Sequence, residues 1–133
     1  MVEDSMIKEM KAIAKQASKN AYCPYSKFPV GAAVLTKDGK VFSGCNVENA
    51  SFGLTICAER NAIFSAVAQG LKDIVAVAIF TPTEKPAAPC GACRQVINEF
   101  NPEAEVYSFC NSENYLYYNM KDLLPNSFTS DFL

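Results

Sequence analysis

Ile74-Val75-Ala76-Val77-Ala78-Ile79-Phe80 is the longest uninterrupted apolar run in the chain. It is too short for an ordinary helix, and its β-branched residues and length suit a strand. No polar side chain breaks the run, so both of its faces must be covered. It therefore predicts the central strand of a sheet with helices packed on either side.

The flanking sequence supplies those helices. Ile56 to Ala68 is Ala-rich and helix-favouring, and Gly70 stops it. After the strand, Thr81 to Pro89 carries Pro82, Pro86 and Pro89 and predicts a loop. Cys93, Val96, Ile97 and Phe100 then recur at i, i+3, i+4 and i+7, and Asn101-Pro102 ends that helix. Further out, Ile7, Met10, Ala14, Ala17 and Ala21 predict a first helix through about residue 20. Phe28 to Thr36 and Val41 to Val47 read as strands joined by Lys37-Asp38-Gly39-Lys40, an Asp-Gly hairpin signal. Residues 48 to 55 read as a polar loop. Glu105 to Cys110 and Tyr115 to Tyr118 are too closely linked for a crossover, so they predict an antiparallel pair. A last short helical turn is expected around Asp122-Leu123-Leu124. The order α-β-β-α-β-α-β-β predicts an α/β fold: three layers, α/β/α, around a mixed five-stranded sheet.

Composition narrows the class. The 133 residues suit one domain, residues 1 to 133, and no repeat or linker divides them. Half the residues are hydrophobic and the formal charge is only −2, which excludes a disordered chain. The central run is far short of the ~20 residues of a membrane span. The acidic start Met1-Val2-Glu3-Asp4-Ser5 does not resemble a signal peptide. Scattered cations argue against nucleic acid as a partner. These features predict a cytoplasmic protein with a small-molecule substrate and no membrane contact.

Six Cys and no His set the available chemistry. In a reducing compartment, clustered Cys bind metal or do redox work rather than form a disulfide scaffold. Without His, catalysis falls to carboxylates, thiolates or a metal. Cys57-Ala58-Glu59-Arg60 and Pro89-Cys90-Gly91-Ala92-Cys93-Arg94 both lie where a loop enters a helix. Pro89 suits the first helical position, which places Cys57 and Cys90 in first turns and Cys93 one turn further along the inward face. Helix N-termini favour thiolates. If the two helix starts converge beside the central strand, three thiolates meet and leave a fourth zinc position open, as a catalytic zinc site requires. Zinc there would lower the pKa of a water toward about 7. The set carries a net negative charge, for which Arg60, and less so Arg94, would compensate. Glu59, two residues after a ligand, could move protons without binding the metal.

Other readings stand beside this one. Cys90-Gly91-Ala92-Cys93 opening a helix is also the pattern of a dithiol redox pair, although that leaves Cys57 and Glu59 unexplained. A structural zinc site would want a fourth ligand at close spacing. Cys45 and Cys110 fall in predicted strands and read as core residues, and Cys23 is similar. By themselves Asn46 and Glu48 read as a solvated loop with a turn-forming Asn.

The two cysteine segments match the all-Cys form of the zinc deaminase signature, Cys-x-Glu followed by Pro-Cys-x-x-Cys. The chain resembles the small cytidine deaminases that act on free nucleosides. Beyond the metal motif, the likeness rests on Tyr25 to Ala33, Gly44 to Ala50, and Leu123-Leu124-Pro125 with Phe128. It implies a cytidine deaminase-like fold and one Zn²⁺ per subunit on Cys57, Cys90 and Cys93, with Glu59 as proton shuttle. It also implies Asn46 and Glu48 on the ribose hydroxyls, Phe28 against the base, and backbone donors near Ala58 and Cys90. Members are usually homotetramers with shared active sites; Ala50, Phe52 and Phe128 are the matching cross-subunit positions. Phe52 departs from the Tyr of many relatives, which removes a hydrogen bond. The implied reaction is hydrolysis of cytidine and 2′-deoxycytidine to uridine and 2′-deoxyuridine with release of ammonia, in pyrimidine salvage. Another aminopyrimidine is the runner-up substrate.

Overall fold

The computed structural model describes residues 2–133. Five strands form one mixed sheet in the order β2-β1-β3-β4-β5. The elements run α1 (Asp4–Ser18), β1 (Gly31–Thr36), β2 (Val41–Cys45), α2 (Ala58–Ala68), β3 (Ile74–Phe80), α3 (Gly91–Phe100), β4 (Glu105–Phe109), β5 (Tyr115–Asn119) and α4 (Met120–Leu123). As its apolar composition requires, β3 lies in the middle. It pairs antiparallel with β1 and parallel with β4, with α3 as the crossover between the parallel strands. The two hairpins, β1 with β2 and β4 with β5, are antiparallel. Gly39, at φ 90°, makes the tight turn of the first.

Period-two alternation divides the core between the faces of the sheet. Ala33, Leu35, Ala76, Ala78 and Phe80 meet Met10 and Ala14 of α1. Ala32, Val34, Val77, Ile79 and Val106 meet Ala62, Ile63 and Ala66 of α2 and Ile97 of α3. Two strand glycines set how closely the helices approach. A Cβ on Gly31 would lie 1.8 Å from the Ala14 carbonyl oxygen, and one on Gly44 would lie 2.4 Å from the Ala62 nitrogen. Only Gly fits backbone-to-backbone contact of that kind. The second contact matters for chemistry, because it seats the helix that starts beside Cys57.

Several boundaries differ from expectation. The first strand begins at Gly31 rather than Phe28, because the Asn46 side chain takes over the backbone groups upstream. Its Nδ2 donates to the Phe28 carbonyl at 2.9 Å, and its Oδ1 accepts from Val30 N–H at 2.9 Å. The second strand ends at Cys45, leaving Val47 in isolated bridges to Tyr22 and Ile56. The first helix stops at Ser18, whose hydroxyl turns back to the Lys15 carbonyl. The loop at 48 to 55 contains a 3-10 turn, Phe52–Leu54, and a second one, Ser130–Phe132, ends the chain. The expected turn at 122 to 124 is α4, started two residues earlier by the Asn119 side chain on Lys121 N–H.

Candidate active site

Cys57 and Cys90 are the N-caps of α2 and α3, and Pro89 precedes the cap rather than opening the helix. The reason is local: the Cys90 sulfur accepts the Cys93 N–H at 3.5 Å, a bond that only a cap residue can make. The two helices run side by side against the sheet, so their starts converge. The sulfurs of Cys57, Cys90 and Cys93 all lie within 4.8 Å of one another. Cys23, Cys45 and Cys110 stay apart from this group.

The sulfur geometry suits zinc. Two ligands ~2.3 Å from a tetrahedral centre sit about 3.8 Å apart, and Cys57 Sγ to Cys90 Sγ is 3.8 Å. Cys93 is fully buried, Cys57 partly so, and Cys90 is exposed, so the trio faces outward on one side. Cys57 is held down to about 5 by the Cys93 thiol against it and, to a lesser degree, by the Arg60 guanidinium, which together outweigh burial. The same contact with Cys57, together with burial, pushes the Cys93 thiol up. One sulfur is thus an anion at neutral pH while its neighbour keeps a proton for a metal to displace. Three sulfurs meeting this way also leave no isolated pair for the dithiol reading.

Glu59 is the only charged side chain in the buried set of the described residues, 5% exposed. Burial raises its pKa above the ordinary carboxylate value. It lines a cleft of about 300 Å³ together with Phe28, Asn46, Glu48, Cys57, Ala58 and Cys90. That size lies at the lower end of small-molecule sites. The N–H of Ala58, first residue of α2, belongs to the free donors of a helix start.

Glu48 is a half-buried loop residue whose carboxylate is tied to a neighbouring turn. Its carboxylate accepts from Tyr25 N–H at 3.0 Å, from Ser26 N–H at 3.1 Å and from the Ser26 hydroxyl. The hydroxyl above all holds its pKa below the usual value. Asn46, 8% exposed, is likewise structural as well as cleft-facing. Arg60 donates to Cys57, whereas Arg94 makes no contact with sulfur. Arg94 bonds the carbonyls of Pro89 at 2.8 Å and Leu123 at 3.1 Å.

Ala50, Phe52 and Phe128 lie outside this cleft. Ala50 is exposed, Phe52 is 74% and Phe128 59% exposed. Phe52 meets Tyr25 edge-on at 5.9 Å beside a shallow neighbouring depression, and Phe128 stacks on Phe132 at 5.6 Å. Residues to which the sequence reading gave no site role also line the cleft, among them Ser26, Thr55, Ile79 and Thr81. Ile79 and Thr81 could have been found from their place at the carboxyl end of the central strand, where open α/β sheets bind ligands.

The chain matches the family described as the cytidine and deoxycytidylate deaminase zinc-binding region over residues 4–109. It is 47% identical over 132 residues to a cytidine deaminase of Halalkalibacterium halodurans, covering 98% of this chain and 97% of that protein. A cytidine deaminase of Sporosarcina psychrophila is 51% identical over 102 residues, 76% of this chain and 75% of that one. The 1.6 Å crystal structure of cytidine deaminase from Burkholderia pseudomallei superposes with a TM-score of 0.87 at 49% identity, covering 91% of this chain and 98% of that chain.

Proposed function

The chain belongs to the cytidine and deoxycytidylate deaminase family, and from that premise we propose that it hydrolyses cytidine and 2′-deoxycytidine to uridine and 2′-deoxyuridine with release of ammonia. One observation carries the proposal: a buried carboxyl, Glu59, stands at a small-molecule cleft beside three converging sulfurs.

Zinc on Cys57, Cys90 and Cys93 supplies, when bound, a Lewis acid that readies water for attack. Glu59 carries the protons. It accepts one from the attacking water and delivers it to the ring nitrogen next to the amino-bearing carbon. It then passes the second to the amino group, which leaves as ammonia. Burial raises the proton affinity of Glu59, which suits a group that must both take and give up a proton near neutral pH. The Ala58 and Cys90 N–H groups face charge developing on the reacting carbon's oxygen. Phe28 packs on the base, and Asn46 and Glu48 hold the ribose hydroxyls. Arg60 offsets the negative charge of the sulfurs.

The cleft lining includes two carboxylates and no Lys or Arg. That favours a nucleoside over its 5′-phosphate, since a phosphate would enter an acidic site without a cation. We assign Ala50, Phe52 and Phe128 to contacts between subunits of a homotetramer. Their support is that Ala50 is exposed and that Phe52 and Phe128 are aromatic side chains left largely exposed on the single chain. The chain acts as a single deaminase domain in pyrimidine salvage. Six free cysteines, three of them zinc ligands, suit the reducing cytoplasm.

The test is loss of cytidine absorbance, with and without a zinc chelator, alongside metal analysis. One zinc per chain and turnover that falls on chelation and returns with zinc are expected. Zinc-loaded protein that leaves cytidine unchanged overturns the proposal.

A further inference from the structure

One hydroxyl at the cleft has no task in the chemistry above. Ser26 Oγ donates to Glu48 Oε2 and accepts the Phe28 N–H at 3.1 Å. The N–H groups of Tyr25 and Ser26 converge on Glu48 Oε1. A single carboxylate therefore receives three donors from one turn, an anion-holding nest of backbone and side chain. Between Ser26 and Phe28, Lys27 sits at φ 59°, a conformation a non-glycine residue adopts only when its surroundings hold it there. Asn46 closes the far side of the turn through the Phe28 carbonyl.

We propose that Ser26 is a positioning residue that joins sugar recognition to base packing, by locking the Glu48 carboxylate and the Phe28 backbone through one hydroxyl. An ionised carboxylate has about four acceptor sites. Three are filled from the turn, which leaves one for an incoming sugar hydroxyl. With Ser26 in place that site has a fixed direction, and Phe28 is fixed with it. Without the hydroxyl, the carboxylate and the aromatic residue lose their common anchor. The loss falls on binding in ground and transition states alike, so it belongs in KM rather than kcat. This inference rests on the cleft being a nucleoside site.

The experiment is steady-state kinetics of zinc-loaded wild type, Ser26→Ala and Ser26→Thr on cytidine and on 2′,3′-dideoxycytidine, which lacks both sugar hydroxyls. Ser26→Ala should raise KM for cytidine about tenfold, the scale of one hydrogen bond to a charged group, with kcat within about twofold. Its KM for the dideoxy compound should rise less, so the preference for the hydroxylated sugar shrinks. Ser26→Thr, which keeps the hydroxyl, should stay near wild type. If Ser26→Ala does not fold, Ser26→Cys replaces it and should give an intermediate KM for cytidine. An unchanged KM, equal increases for both compounds, or failure of Thr to rescue overturns the role of Ser26. Wild-type protein that deaminates neither compound overturns the nucleoside reading itself, so the two failures are distinguishable.

Discussion

Arg60 Nη2 lies 3.4 Å from the Cys57 sulfur, three residues back along α2. Its Nε is buried without a partner, so the guanidinium bears a desolvation cost that the adjacent thiolate offsets. The pair makes a helix start, already favourable to an anion, more so.

After the larger effect of the Cys93 thiol, this contact adds to the acidity of Cys57. Arg60→Gln should raise the Cys57 pKa from about 5 toward the ordinary thiol value, leaving less thiolate at pH 6. In zinc-free protein, alkylation of Cys57 at pH 6, followed by peptide mass analysis, should slow several-fold. An unchanged rate would remove Arg60 from the electrostatics of the site.

Glu59→Gln preserves size and removes the carboxyl assigned to proton transfer. Fold and zinc content should stay as in wild type while kcat falls by about 10²–10⁴. Activity close to wild type would refute the proton-shuttle role.

Cys93 is buried and Cys90 exposed, which separates two consequences of losing one sulfur of the trio. Cys90→Ala and Cys93→Ala should both lose stoichiometric zinc. Compared with chelated wild type, Cys90→Ala should melt at nearly the same temperature. Cys93→Ala should be less stable by about 1 kcal/mol, because it also empties a packed position. Denaturant titration of the zinc-free proteins checks the difference.

Arg94 spans two carbonyls, one just before Cys90 and one at the end of α4. A Lys cannot reach both with one planar fork. Arg94→Lys should cost about 1–2 kcal/mol and hasten zinc transfer to a competing chelator, measurable with a metal-sensitive dye. Stability and transfer rate equal to wild type would show that this clamp is idle.

The glycine contacts distinguish the two faces of the sheet. Gly31→Ala and Gly44→Ala each drive a Cβ into helix backbone and should cost about 1–3 kcal/mol or more. Only Gly44→Ala displaces α2, which begins beside Cys57, so it alone should also reduce zinc content. Metal analysis of the folded fraction of both variants makes the comparison.

Element types were legible in the residues because local rules govern them. An unbroken apolar run is a buried strand, an Asp-Gly pair closes a hairpin, and a Pro-rich stretch is a loop. Boundaries moved where a side chain from elsewhere took over the backbone, as Asn46 does at Phe28 and Val30. Pro89 lies two positions before the first helical residue rather than at it, because the Cys90 sulfur, not proline geometry, sets the start of α3. Ser26 gave no chemical signal of its own; a serine in a turn is ordinary until its hydroxyl is seen between Glu48 and Phe28.

Residue type and spacing by themselves determined the central strand, the helix starts bearing cysteine, and an acid two positions after a sulfur. Those depend on propensities and periodicities that act over a few residues. Packing decided the rest. The separation of the sulfurs depends on how closely α2 and α3 settle onto the sheet, and the separate tasks of Arg60 and Arg94 depend on which acceptor each guanidinium can reach. Such distances arise from contacts between segments far apart in the chain, which no local pattern of residues encodes.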